Sequence, residues 1–332
     1  MSRNVLLLGE ADIRALLDPA ACLDAVERAF AAYSTGQAQL PPVIALDVAE
    51  NHGEIHMKAG HIRNGPYYAI KVISGFRDNP QLGLPVLNGM VVVFDAGTGA
   101  PAGFLLDRGL ITELRTGAAG AVAAKHLARK TVATVAVIGT GGQARRQVEM
   151  LAYVRKFSEV RVWGRDRNKA RACADDLGRI PEISACHFAV PESVQQAVES
   201  ADIVVTVTSA RQPLVRPEWL KPGVTIIAVG SDGPQKQELE VGVLGRADKI
   251  VADSLPQCLR LGEIHHAVDA GVITKEKIIE LGEITSGRKP GRTSEGEIVV
   301  CDLTGVGVQD VAAASLVMER AKAAGRGEQI VI

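Results

Sequence analysis

The sequence has few aromatic residues and almost no net charge. Aromatic side chains make up 4% of its 332 residues, and 37 basic against 38 acidic residues give a formal net charge of −1. A surface that stacks nucleic-acid bases needs exposed aromatic rings, and one that follows a phosphate backbone needs a basic stripe. We therefore expect no nucleic-acid partner.

Long apolar runs and paired cysteines are also missing. The early apolar stretch 5–8 stops at Gly9-Glu10 without the apolar core of a secretory signal, and no run approaches the roughly 20 residues of a membrane span. The five cysteines form no C-x-x-C pair, and neither a zinc-ligand spacing nor a G-x-S-x-G motif occurs. The sequence therefore predicts a cytoplasmic protein with reduced thiols, no bound metal and no membrane partner.

The length suggests about two domains, and the sequence pattern changes near residue 109. In the first part, Asp18-Pro19 is typical of a helix start, and the helical apolar pattern that follows runs to Tyr33. Short segments broken by Gly and Pro then indicate an antiparallel sheet. These predicted strands are 43–48, 54–58, 67–73 and 89–94.

After residue 109, apolar strands alternate with helices, which is typical of a parallel, doubly wound α/β sheet. The predicted strands are 134–138, 160–163, 203–208, 224–229 and 249–252. The predicted helices are 114–127, 143–154, 168–177 and a final one over 305–324.

A G-x-G-x-x-A motif follows the predicted strand 134–138 and opens the next helix. Gly139 allows the sharp turn, Gly141 allows close approach of a pyrophosphate, and Ala144 allows tight helix–strand packing. Gly142 and Gln143 begin the helix, whose free amides favour phosphate groups. This context predicts a dinucleotide site.

The end of the second strand of this region bears on the choice of dinucleotide. Arg165 follows Trp163-Gly164, where it could pair with a 2′-phosphate, so the sequence favours NADPH over NADH. Asp166 comes slightly late for a ribose-binding acid but could still reach. The alternative is that Arg165 and Arg167 are solvated loop charges.

Two cations in apolar surroundings are candidates for substrate binding. Arg115 is predicted in the first turn of an apolar helix, where a cation opposes the helix dipole, so binding of a carboxylate would explain it better. The alternative is an exposed side chain or an ion pair with Glu113. Lys71 interrupts an apolar strand and would need a carboxylate partner if buried, unless it is a solvated lysine on the strand surface.

Asp232 and His56 are further candidates. Asp232 follows the predicted strand 224–229, at the sheet edge where ligands of open α/β sheets bind, and could act in acid–base chemistry. The alternative is an Asx turn before Gly233-Pro234. His56 is a weaker candidate within a predicted strand, and His265-His266 is predicted to be a pair at a helix end.

Together these segments resemble the ornithine cyclodeaminase/mu-crystallin family over nearly the whole chain. The resemblance is carried by 111–116, by the turn 139–144, and by 230–232 with Lys236 and Glu238. It implies a Rossmann domain over 115–304 inserted into a second α+β domain of 1–114 plus 305–332. The second domain would bind substrate and carry an antiparallel sheet through which two subunits form a homodimer.

The resemblance also implies roles for individual residues. Lys71 and Arg115 would hold the substrate α-carboxylate, and Asp232 would be the acid/base group. To these we add His56 as a predicted substrate contact and Lys71 as a predicted catalytic residue. Cofactor contacts would come from Thr116, the turn 139–144 and Thr208. To these we add Arg165, because of its place at the strand end, and Val229. Family activities include cyclodeamination of ornithine and lysine, alanine dehydrogenation, and reduction of ketimines and iminosuccinate, which share an imino acid intermediate.

The sequence departs from ornithine cyclodeaminases at three places. No Arg follows Pro41-Pro42, Met57-Lys58 stands where they have Met-Pro, and Arg165 stands near the end of a strand that ends in an acid there. The stretches 262–267 and 291–294 are similar to a subgroup that includes iminosuccinate reductase and cyclodeaminase-like proteins of ectoine breakdown.

We therefore predict an NAD(P)H-dependent enzyme that reversibly reduces an α-imino acid to an amino acid. One alternative is a cyclodeaminase that recycles a bound NAD. Another is a non-catalytic binder of small molecules like mu-crystallin.

Overall fold

The computed structural model describes residues 4–331, which form two compact units. One unit comprises the chain up to Arg115 and from Val306 onward, and the other is Thr116–Gly305. These limits differ by one residue from the predicted boundaries at 114/115 and 304/305. The assignment of substrate binding to the first and of the dinucleotide to the second stays a prediction.

Strands predominate in the first unit, whereas strands and helices largely alternate in the second. The strands are β1 (Asn4–Gly9), β2 (Ala38–Gln39), β3 (Ile44–Val48), β4 (Gly53–Ile62), β5 (Tyr67–Phe76), β6 (Leu87–Asp95), β7 (Pro101–Leu106), β8 (Thr134–Ile138), β9 (Glu159–Trp163), β10 (His187–Ala189), β11 (Ile203–Thr206), β12 (Thr225–Ala228), β13 (Lys249–Ala252), β14 (Ile278–Glu280), β15 (Val299–Asp302) and β16 (Glu328–Val331). The α-helices are α1 (Glu10–Leu16), α2 (Pro19–Ser34), α3 (Leu110–Leu127), α4 (Gly142–Leu151), α5 (Arg167–Leu177), α6 (Val194–Val198), α7 (Val241–Gly245), α8 (Leu255–Cys258), α9 (Gly262–Asp269), α10 (Leu281–Thr285) and α11 (Gly307–Ala324).

The first unit contains an eight-stranded sheet in the order β16-β1-β7-β6-β5-β4-β2, with β3 also paired to β4. All its pairs are antiparallel except β1 with β7, which run parallel. The predicted strands correspond to β3, β4, β5 and β6. The prediction missed β1, β7 and β16; β1 pairs only with strands distant in sequence, whereas β7 also forms a hairpin with β6.

Helix α11 covers one face of this sheet. Two glycines on that face allow the close approach: a Cβ at Gly60 would lie 3.1 Å from Val311 Cγ2, and one at Gly103 would lie 2.6 Å from Met318 Sδ. Because side chains alternate along a strand, Lys71 shares this face with its cross-strand partners Lys58 and Val91. The face opposite Lys71 is partly exposed.

The second unit contains a parallel sheet in the order β10-β9-β8-β11-β12-β15-β13-β14. The α/β class, doubly wound and parallel, is therefore confirmed, as is the second sheet in an α+β unit. Strand β15 was not predicted and inserts between β12 and β13. The central strands are buried along their whole length, as expected for a sheet covered on both sides.

The ends of β8 and β11 define the position of the glycine motif. These strands are neighbours, with Ile138 opposite Thr206, whereas the chain continues from β8 to β9 on the other side. Strand order reverses at this point, and open α/β sheets bind ligands at the carboxyl ends of strands where such a reversal occurs. The motif that begins at Gly139 follows β8 there.

The local sequence signals at Asp18-Pro19 agree with the start of helix α2. The Asp18 carboxylate accepts a hydrogen bond from Ala21 N at 2.9 Å and Pro19 is the first helical residue, so the predicted cap of α2 is confirmed. No helix formed by residues 4–331 is long and apolar enough to cross a bilayer.

We expect Gly307→Ala to lower the free energy of unfolding by about 2 kcal/mol, measured by urea denaturation. A Cβ at Gly307 would lie 2.5 Å from the backbone oxygen of Ala59, so α11 could no longer approach β4 as closely. Gly296→Ala is the matched control, because a Cβ there meets no atom within 4 Å. Equal stability of the two variants would contradict this account of the packing.

Candidate active site

Four buried polar side chains meet in the first unit. Asp310 Oδ1 accepts hydrogen bonds from Lys71 Nζ and Arg115 Nε, both at 2.9 Å. Gln309 Oε1 accepts one from Arg115 Nη1 at 2.7 Å. Strand β5 contributes Lys71, α3 contributes Arg115, and the first turn of α11 contributes Gln309 and Asp310. Both predicted cations are therefore buried and share one carboxylate.

The charges in this cluster do not cancel. Burial and the nearby Arg115 guanidinium lower the pKa of Lys71 to about 7, although Asp310 opposes the shift. Although burial acts to raise it, the pKa of Asp310 is held below its usual value by Arg115 and Lys71. Arg115 carries more N–H donors than its two bonds use, and Asp310 Oδ2 has no partner among residues 4–331. The arrangement is suited to an anionic ligand such as a carboxylate.

The structure differs from the sequence analysis in the placement of Arg115. Helix α3 begins at Leu110, so Arg115 is its sixth residue and lies in the second turn instead of the first. Its ion-pair partner is Asp310 and not Glu113. Burial of Lys71 likewise excludes the solvated alternative.

The sequence analysis missed Gln309 and Asp310. The available signal was a polar pair in the first turn of the final helix, directly before the apolar stretch 311–314. The partners of Asp310 are 195 and 239 residues away in sequence, so no local pattern connects them.

His56 lies near this cluster on the same face of the sheet. It pairs with Ile73 across β4 and β5, one row from the Lys58–Lys71 pair. Its side chain is partly buried. The register is therefore compatible with the predicted place of His56 beside a bound substrate.

The glycine turn in the second unit fits a dinucleotide. Gly139 has φ 140°, and a Cβ there would lie 2.5 Å from Val207 O, so a side chain is excluded. A Cβ at Gly141 would meet no atom within 4 Å, which leaves space beside the backbone. Gly141 caps the ten-residue helix α4 without a side chain, and Gly142 and Gln143 are its first residues. Ala144 is fully buried at the helix–strand contact.

Thr116 is held close to this helix. Its backbone oxygen accepts a hydrogen bond from Gln147 Nε2 at 2.9 Å, so α3 and α4 are connected at the residue predicted to contact the cofactor. Gly120 allows their close packing, since a Cβ there would lie 1.8 Å from Gln147 Oε1.

Three charged residues in the loop after β9 were considered for contact with the ribose, and they differ in their partners. Arg165 is exposed and makes no ion pair within residues 4–331. The Asp166 carboxylate caps α5 by accepting hydrogen bonds from Asn168 N and Lys169 N, so it has a structural task. Arg167 pairs with Glu192 at 3.1 Å. Arg165 therefore remains the candidate for a 2′-phosphate.

Asp232 lies in the loop after β12 and is about half exposed. Its Oδ1 is 2.6 Å from Lys236 Nζ, four residues on. This local ion pair was not among the roles that the sequence analysis considered for Asp232. Thr208 follows β11, which is the neighbour of β8 and its glycine turn, and Val229 follows β12, which pairs with the other side of β11. Val229 N donates to Thr206 O at 2.8 Å, which connects the two strand ends.

The stretch 291–294, noted for its similarity to a subgroup, has a structural role. Arg292 Nε donates to Leu127 O at 2.6 Å, and its Nη2 donates to Thr225 Oγ1 at 2.9 Å. It therefore ties the end of α3 to β12.

Within the described residues, no group of three or more potential metal ligands is placed to hold an ion.

The ornithine cyclodeaminase/mu-crystallin family model matches residues 3–325. The chain belongs to this family. Within it, an uncharacterized cyclodeaminase of Sinorhizobium fredii is 42% identical over 321 residues, which cover 95% of this chain and 96% of that one.

Two solved structures are similar over nearly the full length. An archaeal alanine dehydrogenase dimer with bound NAD is 35% identical, with a TM-score of 0.91 and 99% of each chain covered. The Δ1-pyrroline-2-carboxylate reductase of Thermococcus litoralis, in complex with NADH and L-proline, is 32% identical, with a TM-score of 0.92 and coverage of 98% of this chain and 100% of that one. The names of these relatives refer to different reactions. Family membership therefore establishes the fold, and the residues of the site must indicate the reaction.

We expect Asp310→Asn to lower the free energy of unfolding by about 3 kcal/mol at pH 7, because it leaves two buried cations without their shared counter-charge. Urea denaturation measures the change. Glu10→Gln, which breaks an exposed pair with Arg14, is the control and should change stability by less than about 0.5 kcal/mol. A similarly small effect for Asp310→Asn would refute the assigned role of its charge.

Proposed function

We propose that the protein is an NAD(P)H-dependent reductase that converts an α-imino acid to an L-amino acid, reversibly. The observation that carries the proposal is the buried Lys71–Arg115 pair, whose positive charge exceeds the negative charge of Asp310. The same chain holds a glycine turn that fits a dinucleotide. A carboxylate-binding pair together with a dinucleotide turn matches the needs of an imino acid reductase.

Lys71 and Arg115 bind the α-carboxylate of the substrate in this proposal. Arg115 can present two N–H groups to the planar carboxylate, and Asp310 and Gln309 fix the orientation of the guanidinium before substrate arrives. Holding the carboxylate restricts the adjacent α-carbon, which removes much of the entropic barrier of the reaction. His56 adds a polar group on the same face of the sheet.

The turn 139–144 with Thr116, Thr208 and Val229 would hold the dinucleotide, which when bound supplies the hydride that the α-carbon accepts. The exposed Arg165 would pair with a 2′-phosphate, so we favour NADPH over NADH. The free amides at the start of α4 would meet the pyrophosphate.

Asp232 has the acid–base role in this proposal. Its carboxylate would stabilise the iminium cation and exchange the proton on nitrogen. The reaction adds one hydride to carbon, and the nitrogen keeps its proton to give the amine. Lys236 Nζ lies 2.6 Å from Asp232 Oδ1.

We also propose that the protein is a homodimer joined through the sheet of the first unit. The face opposite Lys71 exposes apolar side chains from several strands. They are Ile44, Leu46, Ile70, Met90 and Leu106, which are 61%, 52%, 36%, 40% and 41% exposed. A shared apolar face of this kind is typical of an isologous interface.

The direct test is oxidation of NADH and NADPH, followed at 340 nm with preformed cyclic imines and with 2-oxo acids plus ammonia or methylamine. We expect stoichiometric oxidation with one substrate class, and faster turnover with NADPH. Ammonia release from ornithine or lysine with only a catalytic amount of NAD would instead identify a cyclodeaminase. Binding without turnover of any substrate would identify a small-molecule binder.

Two variants check the assigned roles in the same assay. Arg115→Ala should raise KM for the imine strongly and leave the dissociation constant of the cofactor unchanged. Asp232→Asn should lower kcat by about 100-fold or more with little effect on cofactor binding. Unchanged turnover of Asp232→Asn would remove Asp232 from the mechanism.

Substrate affinity should fall as the pH rises above 7. The pKa of Lys71 is lowered to about 7, so the free protein loses this positive charge between about pH 6 and 8. We expect the inhibition constant of a 2-hydroxy acid, which does not titrate in this range, to increase above pH 7. Lys71→Arg keeps its charge and should show a flat profile. Parallel profiles for both proteins would contradict a charged Lys71 in binding.

A further inference from the structure

The carboxylate of Glu238 joins two loops that follow different strands. Its Oε1 accepts a hydrogen bond from Thr208 N at 2.5 Å, and its Oε2 accepts one from Gly230 N at 2.9 Å. The side chain is fully buried. Thr208 follows β11 and Gly230 follows β12, which are adjacent parallel strands. One side chain therefore sets the separation of two loops at the carboxyl edge of the sheet.

The two loops are also in direct backbone contact. A Cβ at Gly230 would lie 2.3 Å from Thr208 O and 2.6 Å from the Glu238 carboxyl carbon. No side chain larger than hydrogen fits at that position. The spacing of the loops thus depends on Glu238 from one side and on a glycine from the other.

Helix α9 holds the segment that carries Glu238. The Glu263 carboxylate accepts hydrogen bonds from Glu238 N at 2.8 Å and Leu239 N at 3.0 Å. His266 Nε2 lies 2.9 Å from Lys236 O, and His265 Nε2 lies 3.2 Å from Pro234 O. These histidines are the fourth and fifth of the eight residues of α9, and His266 lies in its last turn.

Helix α9 is itself anchored to the sheet. Asp302, the last residue of β15, accepts hydrogen bonds from Glu263 N at 2.8 Å and Ile264 N at 2.9 Å. Gly262 makes this possible, because a Cβ there would lie 2.4 Å from Asp302 Oδ2. A chain of hydrogen bonds therefore runs from β15 through α9 and Glu238 to the loops after β11 and β12.

We propose that Glu238 is a positioning residue for the dinucleotide, and that α9 fixes it through Glu263, His265 and His266. The inference rests on the proposed function in assigning Thr208 and Val229 to the cofactor. Glu238 need not touch the cofactor, because both of its oxygens already hold backbone N–H groups. Its effect is to keep the two loops at the spacing that cofactor binding requires.

The test measures NADH and NADPH dissociation constants by nicotinamide fluorescence, without imine. We expect Glu238→Ala to raise the constant by at least about tenfold, and Glu238→Gln by less, because an amide oxygen accepts one of the two N–H groups. Hydrogen exchange should accelerate in 205–212 and 228–234 without cofactor. Glu240→Gln, which breaks a surface pair with Arg216, is the control and should stay within about twofold.

A second pair of variants tests the proposal in case the Glu238 variant fails to fold. His266→Ala should raise the dissociation constant, and His266→Gln, which keeps a donor for Lys236 O, should restore it. A folded Glu238→Ala protein with wild-type affinity would overturn the proposal, and so would equal behaviour of the two His266 variants. Wild-type protein that binds the dinucleotide but reduces no imine would overturn only the proposed function. Failure to bind either dinucleotide would overturn both.

Discussion

The site in the first unit depends on one buried carboxylate. Asp310 holds Lys71 and Arg115 through the same oxygen, in surroundings where isolated charges are costly. It compensates only part of their positive charge, and burial together with the Arg115 guanidinium lowers the pKa of Lys71. The cluster therefore keeps two buried cations against one buried carboxylate. That balance explains why both a lysine and an arginine can lie inside an apolar unit.

The second unit differs, because its loops keep backbone groups accessible at a sheet edge. Gly139 and Gly230 bring neighbouring chain segments so close that a Cβ would overlap with backbone oxygen. Buried carboxylates such as Glu238, Glu263 and Asp302 then satisfy the N–H groups of the surrounding loops. Burial raises the pKa of Glu238 to about 7, which indicates how little solvent reaches this network. Rigid loops of this kind preserve a binding surface without a ligand to shape it.

Sequence patterns predicted the parts that depend on local order. Strands 134–138 and 249–252 match β8 and β13, because a short apolar run between turns is long enough for a buried strand and too short for a typical helix. The glycine motif was recognised for the same reason. Strand β15 was missed although it is as long as β13, and its place between β12 and β13 is set by pairings with strands from other parts of the chain.

The site residues likewise divide into those that local sequence patterns reveal and those that they do not. Lys71 and Arg115 stood out as cations in apolar segments, whereas the roles of Gln309 and Glu238 depend on contacts across the fold. The placement of Arg115 in the helix was wrong because the start of α3 is set by the Asp107 carboxylate, which accepts a hydrogen bond from Ile111 N. That cap lies before the apolar pattern begins.

The long sequence separation within the site has a consequence for synthesis of the protein. Lys71 leaves the ribosome 239 residues before Asp310, a delay of roughly 10 to 50 s at usual elongation rates. During that interval the sheet of the first unit has no α11 to cover it, and the lysine has no counter-charge. The nascent chain must therefore keep Lys71 in water until α11 emerges, so the cluster of Lys71, Arg115 and Asp310 forms only after α11 has been synthesised.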